Sequence, residues 1–526
     1  MEKAIQIGKT SATGSFQLFI GVATSTIIMA IGTIILGRLL TPDEYGLYTV
    51  ALIPSNMIIL FRDWGVNSAI TRYTASLRVQ NKQEDTHEFI KAGMFFEATT
   101  GILLATILAL LTSFIATAIF NRPESASLIA ITSVTILAGA LQIASQSSFI
   151  GFERMELNSL TLIFQAIVKS VTSPLLVFIG YSALGAVLGY TLSTIAAALI
   201  GLAALYLTIF KNLKIKNSEK TNLSKTLRKM LYYGVPLSIS SILNGVLAQF
   251  YAFLMAIYCA DALIGNYQVA AQFAVILTFF TIPISTVLFP AFSKIDPQNE
   301  HEIIQTVFTS SVKYTSLLLV PATMAMMVLS KPMISILFGE KWTYAPFFLT
   351  LYVINNLFTL IGSLSLGNLL AGTGETKALM KLSLITLIIG IPMAFILIPT
   401  NGIVALILTS ILAGIPSMLL GLYWISKRYK AKADLKSSTK ILVASVIATA
   451  ITYLILDFIA SADWIELALG GATFIATYLI TAPLIGAINV SDIRNLKTMF
   501  SDLRIISKLL NIPLNVMEKL TKTHEP

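Results

Sequence analysis

Long apolar runs separated by short polar breaks organise the chain from about residue 10 onward. No Asp, Glu, Lys or Arg occurs between Lys9 and Arg38, Lys229 and Asp261, Asp261 and Lys294, or Trp342 and Gly374. A helix needs roughly 20 apolar residues to cross a bilayer, so each gap is long enough. Ser170–Phe210 and Leu382–Ser426 hold two crossings each, divided at "IGYSALG" and "IPTNG", where Gly, Pro, Asn and Ser favour turns. The pattern predicts an all-α polytopic membrane protein of about fourteen spans. They lie at roughly 13–36, 46–71, 90–118, 125–150, 157–179, 183–210, 229–258, 263–291, 304–329, 346–370, 377–398, 402–426, 440–459 and 464–487. The first follows a polar leader without a convincing cleavage site and reads as retained.

Two stretches repeat. "GLYTVA" (46–51) opens span two and "GNYQVA" (265–270) opens span eight. Six helices separate them, an even number, so both copies point the same way. This implies two parallel six-helix repeats around a central cavity, related by an axis along the membrane normal. The short Gly-bearing turns "FIGFER" after span four and "LLAGTGETK" after span ten echo each other too. The expected organisation is a first bundle at 1–210, a basic linker at 211–228, a second bundle at 229–428 and two additional helices within 429–490. A basic amphipathic tail follows at 491–526, with Ile493, Leu496, Phe500, Leu503 and Ile506 at helical spacing among Arg494, Lys497, Arg504 and Lys508. Such a helix fits the inner leaflet surface.

Composition agrees with the pattern: 56 % of the 526 residues are hydrophobic and 12 % charged, against about 25 % charged in soluble domains. Basic residues set orientation, because they stay cytoplasmic. With the N-terminus inside, 29 of the 36 Lys and Arg fall in the leader, the even-numbered loops and the tail. Only Arg38, Arg122, Lys331 and Lys341 fall on the other side, and Arg62, Lys169 and Lys313 lie within or at the edge of spans. Both termini are therefore expected in the cytoplasm, at the cell membrane. The net charge of +10 reads as a topogenic signal with attraction to anionic lipid, not as a nucleic-acid surface. The lone Cys259 makes no intrachain disulfide and no cysteine metal cluster. His87, His301 and His524 fall in expected cytoplasmic segments, which argues against a histidine relay. The outer segment 330–345 looks surface-lying, and short outer loops disfavour a membrane polymerase. No GxxxxGK[ST] phosphate loop is present; neither an enzyme activity nor a cofactor or metal is expected.

The stretches "LGRLLTPDEYGLYTVA", "RDWGVNSAITRY" and "ILFGEKWTYAPFFLTLYVI" resemble the polysaccharide exporter, or Wzx-type flippase, family of the multidrug/oligosaccharidyl-lipid/polysaccharide superfamily. The resemblance runs over almost the whole chain. It implies two six-helix bundles around a V-shaped cavity, two extra helices, and movement of lipid-linked sugars from the inner to the outer leaflet. Many members carry an acidic residue in span seven, about where Tyr251 stands here, so coupling through a carboxylate at that place is in doubt.

A diphosphate-linked oligosaccharide cannot cross hydrocarbon readily, because unpaired charge there is prohibitively costly. Its carrier needs a polar, partly basic cavity for the head and a lateral gap for the polyisoprenoid tail. Ionisable residues within spans are the first candidates. Lys169, about thirteen residues into span five and roughly 20 Å deep at 1.5 Å per residue, reads as a phosphate contact or a coupling switch; the structural alternative pairs it with Glu97. Arg62 and Asp63 read as a substrate contact, a local ion pair or a gate. Lys313 either couples or snorkels, and Arg38 with Asp43 and Glu44 reads as a helix-end lock or outer gate more than a head contact. Amides suit hydroxyl-rich sugars, being donor and acceptor at once: Gln17, Asn56 and Asn67 in the first half, Asn244, Gln249, Gln268 and Gln272 in the second. Their alternative is interhelical hydrogen bonding. The expected substrate is a lipid-linked oligosaccharide of the polyprenyl-phosphate type. Membrane lipids, a coupling ion (H+ or Na+) and polysaccharide assembly enzymes are further candidate partners. Two other functions stay open: a cation-coupled multidrug exporter of the same superfamily, and a non-transporting membrane scaffold of polysaccharide assembly.

Overall fold

The apolar runs fold as helices in the computed structural model, which describes residues 2–213, 223–459, 462–500, 515 and 517–519. Among the described residues there is no strand. Nine helical stretches are long and apolar enough to cross a membrane, or eleven if two bent pairs count as one span each. Two of the nine, Met155–Asn212 and Thr376–Tyr429, hold 58 and 54 residues and contain backbone breaks at Gly180 (φ 108°) and Gly402 (φ 56°).

The chain divides into two compact units, Met1–Gly265 and Asn266–Pro526. The first contains α1 (Glu2–Leu39), α2 (Pro42–Arg62), α3 (Val66–Val79), α4 (Gln83–Phe114), α5 (Ser125–Gly151), α6 (Met155–Leu176), α7 (Ser182–Thr208) and α8 (Leu223–Tyr258). The boundary falls within α9 (Asp261–Ala274). The second unit continues with α10 (Thr278–Ser293), α11 (His301–Val328), α12 (Ser330–Phe338), α13 (Ala345–Val353), α14 (Ser363–Gly372), α15 (Thr376–Leu412), α16 (Gly414–Tyr429), α17 (Leu435–Phe458), α18 (Asp463–Leu484) and α19 (Val490–Phe500).

Local chemistry fixes the ends that matter for the site. α2 starts at a capping box: Glu44 N donates to Thr41 Oγ1 (3.3 Å), Thr41 N donates to Glu44 Oε2 (2.8 Å), and Pro42 occupies the first turn. These reciprocal bonds satisfy orphan donors at the helix start. α2 ends at Asp63-Trp64-Gly65, where Gly65 takes a left-handed φ of 77°. The expected span 46–71 is thus two helices, and the break places Arg62 and Asn67 on either side of one bend.

Small residues set the register of the first unit. Ser159 Oγ donates to the Gln17 carbonyl (3.0 Å) and Ser170 Oγ to the Ile28 carbonyl (2.9 Å), a constant offset of 142 residues. A constant offset means that α1 and α6 run parallel. Gly21 and Gly32 face the same two serines so closely that a Cβ would stand 2.2 Å and 2.3 Å from their hydroxyls. Close approach through small residues is how helices associate in lipid, where the solvent supplies no hydrophobic drive.

In the second unit, Ile493 of α19 is buried with Leu317, Val320, Phe474 and Tyr478. The first turn of the expected amphipathic tail therefore packs on protein; Leu503, Arg504, Ile506 and Lys508 lie outside the described residues, as does His524. The segment 330–345 does not simply lie on the surface. It carries helix α12, its Trp342 is 1 % exposed, and Asn266 Oδ1 accepts from Tyr344 N (3.1 Å) and Ala345 N (3.0 Å), capping α13.

Gly32→Leu should break the α1–α6 register. The expected loss is about 1–3 kcal/mol, the usual cost of overpacking, read as an earlier thermal unfolding midpoint in detergent. Gly471→Leu, where nothing lies within 4 Å of the added Cβ, should stay within about 0.5 kcal/mol. Equal midpoints for the two variants would contradict the glycine-mediated packing.

Candidate functional site

The polar interior of the first unit is built around one buried ion pair. Arg62, in the last turn of α2, is 1 % exposed and its Nε lies 3.2 Å from Glu97 Oε2 of α4, itself fully buried. Arg62 Nη1 donates to the Ile136 carbonyl of α5 (2.9 Å). Asn67 Nδ2 donates to Glu97 Oε1 (2.9 Å), and Asn67 N donates to Asp63 Oδ1 (3.2 Å). Three of the residues flagged by the sequence as candidates thus meet in one cluster, with Asp63 at its edge. Glu97 is committed to Arg62, so the structural alternative that paired it with Lys169 is not the arrangement found.

A second polar row lies on α5 and α6. Gln142 Nε2 donates to Gln165 Oε1 (2.7 Å), and Gln146 Nε2 donates to Thr161 Oγ1 (3.1 Å). Thr161, Gln165 and Lys169 follow one another four residues apart and so share one face of α6. Leu160, Ile167, Val171 and Leu175 are 45–57 % exposed and form the outward stripe. Lys169 is two positions from both Ile167 and Val171, about 200° around the helix at 3.6 residues per turn, and therefore points away from that stripe. Its Nζ stands 5.2 Å from the Tyr190 ring centroid of α7, within cation–π range. Among the described residues no carboxylate forms an ion pair with it.

The remaining candidates are dispersed. Gln17 is exposed on α1, Asn56 is half-buried on α2 and Gln249 half-buried on α8. Arg38 and Asp43 are exposed at the α1–α2 turn, and Glu44 belongs to the capping box. Asn244 lies in α8, and its side chain is outside the description. In the second unit Gln268 is half-buried and Gln272 exposed on α9. Lys313 Nζ pairs with Asp492 Oδ2 at 2.6 Å, Tyr314 reaches the same carboxylate, and Asn495 Nδ2 donates to the Tyr314 hydroxyl (2.9 Å). Lys313 therefore anchors α19 to α11. Sequence reasoning passed over Gln142, Gln146, Gln165 and Tyr190. The available signal was a pair of amides one turn apart inside an apolar span, "LQIASQSS".

Removing one member of a buried ion pair strands the other, at about 3–5 kcal/mol, whereas replacing both by apolar groups is often neutral. Arg62→Met and Glu97→Met should each lower the unfolding midpoint in detergent sharply. The double variant should recover most of the loss; additive losses would show that the two residues do not stabilise each other.

Residues 35–346 match the model of a family described as "Polysaccharide biosynthesis protein". The lipopolysaccharide biosynthesis protein WzxC of Escherichia coli K12 is 24 % identical over 375 residues, 70 % of this chain and 72 % of that protein. A membrane protein from the cps region of Klebsiella pneumoniae is 22 % identical over 428 residues, 81 % and 82 % of the two chains. Among solved structures, the lipid II flippase MurJ in an inward closed conformation superposes with a TM-score of 0.72 at 16 % identity, covering 89 % of this chain and 98 % of MurJ. An inward-facing multidrug resistance transporter of the MATE family, itself of the MOP superfamily, gives 0.60 at 14 % identity, covering 78 % and 98 %. At those identities the likeness establishes the fold.

Proposed function

The chain belongs to the polysaccharide biosynthesis protein family, and from that premise we propose that it moves a lipid-linked oligosaccharide from the inner to the outer leaflet of the cell membrane. The observation that carries the reading is Lys169: a cation turned from the outward stripe of a spanning helix, with an aromatic ring beside it and, among the described residues, no carboxylate paired to it. A fixed charge inside a membrane is costly and marks a substrate or ion pathway. A diphosphate-linked head supplies the missing counter-charge. Gln142, Gln146 and Gln165, on neighbouring faces, supply donors and acceptors of the kind sugar hydroxyls need. The names of WzxC and MurJ, and of a probable glycan biosynthesis flippase from Haloferax volcanii that is 23 % identical over 40 % of this chain, support the same class of task.

In this reading the chain crosses fourteen times with both termini in the cytoplasm, and two six-helix bundles alternate access to a cavity between them. The polyisoprenoid tail stays in lipid, where each buried methylene contributes about 0.8 kcal/mol. The driving force is an ion gradient or the membrane potential, which acts on each charge moved with about 2.3 kcal/mol per 100 mV. Transport requires no bond chemistry from the protein. An exporter of cationic drugs fits less well: Arg62 neutralises Glu97, the fully buried carboxylate of the first unit, and Lys169 repels a cation.

Lys169→Met should abolish export of the glycan while membrane abundance stays at the parental level, and Lys169→Arg should restore part of it. A deletion strain should accumulate lipid-linked sugar facing the cytoplasm. Normal export by Lys169→Met would remove the residue from the site, and no accumulation on deletion would favour the drug-exporter or scaffold reading.

A further inference from the structure

The two copies of the repeated motif touch each other, and they do so through their glycines. A Cβ on Gly46 of α2 would stand 1.9 Å from the Asp261 carbonyl oxygen, and a Cβ on Gly265 of α9 would stand 2.2 Å from the Pro42 carbonyl oxygen. Gly46 and Gly265 are equivalent positions of the repeat, and so are Pro42 and Asp261, each four residues earlier. The contact is therefore reciprocal: each helix start presses its backbone against the glycine of the other. No real Cβ tolerates such distances, so any side chain at either position must drive the two helix starts apart.

Arg122, in the turn between α4 and α5, ties this contact shut. Its Nε donates to Asp261 Oδ1 (2.7 Å), the residue that opens α9. Its Nη1 donates to the carbonyls of Phe120 (2.9 Å) and Ala256, and its Nη2 to the carbonyl of Cys259 (2.6 Å). One planar guanidinium thus spans the carboxylate at the start of α9, two carbonyls at the end of α8 and one of its own turn. That fork geometry belongs to Arg and not to Lys. Burial raises the pKa of the Asp261 carboxyl and Arg122 opposes the rise, so the pair holds a partly covered charge in place.

We propose that the Gly46–Gly265 contact with its Arg122 latch is the outer closure of the transport cycle, and that it must part before substrate leaves. The assignment of this end as outer, and of a cycle at all, rests on the flippase reading above. In that reading the turns at 120–124 and 259–261 face the exterior, and a parting of α2 from the start of α9 opens the end where Arg38, Asp43 and Asp261 offer polar surface.

The chain carries its own reporter. Cys259, its one cysteine, is 4 % exposed in the turn that Arg122 holds. Burial pushes its thiol up to about 11, with Arg122 pulling the other way, so at pH 8 little of the reactive thiolate exists. A membrane-impermeant maleimide is added to right-side-out vesicles holding the full chain without substrate, and labelling of Cys259 is timed. The native protein should label slowly. Arg122→Gln, which removes the latch and adds no bulk, and Gly265→Leu, which forces the backbones apart while keeping Arg122, should each label at least tenfold faster. Gly265→Ala stands in for Gly265→Leu if the larger side chain prevents insertion. Unfolding midpoints above the labelling temperature show that the gain is local opening. Native-like labelling in Arg122→Gln and in the glycine variant would overturn the closure, as would faster labelling from the cytoplasmic side alone. The flippase reading is judged separately, by glycan export: labelling that accelerates in a protein that moves no lipid-linked sugar retains the contact and rejects the cargo.

Discussion

Inside hydrocarbon every polar group must find its partner within the protein, because no water is there to supply one. The first unit is arranged around that constraint. Arg62 meets Glu97 and the Ile136 carbonyl, Asn67 meets Glu97, Gln142 meets Gln165, and Gln146 meets Thr161. Ser159 and Ser170 give their hydroxyl protons to carbonyls of α1. Lys169 stands beside the Tyr190 ring, and among the described residues no carboxylate forms an ion pair with it. A lysine on the outward stripe could snorkel its amine toward a membrane face; Lys169 points away from that stripe.

The same constraint explains why glycine and serine govern the packing. Backbones can approach closely only where side chains are small, and close approach is what lets a serine hydroxyl reach a carbonyl on the next helix. Gly21 and Gly32 on α1 do this against α6. Gly65, forced to a left-handed conformation by the break after α2, also lies against Gly234 of α8, where a Cβ would stand 2.1 Å from the Gly234 carbonyl oxygen. α2 is therefore held by glycine contacts just past its C-terminal end, by Gly46 and Gly265 near its N-terminal end, and by Arg62 in its last turn. A helix of 21 residues, about 31 Å long, is pinned along nearly its whole length by three contacts, each dependent on one or two residues.

Much of this was legible in the chain. The apolar runs, the positions of the turns and the identity of Arg62, Asn67, Glu97 and Lys169 as residues of interest follow from spacing and charge alone. What spacing could not reveal is partnership. Glu97 lies 35 residues from Arg62 and 72 from Lys169, and only the fold shows which cation it meets. The pairing of Lys313 with Asp492 is equally non-local, and it turns a candidate coupling residue into an anchor for α19. Trp342 reads as part of an outer loop until Asn266 is seen to cap α13 and hold that loop against the second unit. Arg122 counts as one positive charge on the sparsely charged side; three of its four partners are backbone carbonyls, which no side-chain pattern reports, and the fourth is the distant Asp261 carboxylate.

The two copies of the repeated motif share a glycine but not the chemistry that follows it. Gly46 and Gly265 are 219 residues apart, and the residue 219 beyond Arg62 is Thr281, a neutral hydroxyl. The contact residue of the motif is thus present in both copies, while the charge sixteen residues further on is present in one. Arg62 is compensated by Glu97, while among the described residues no carboxylate forms an ion pair with Lys169.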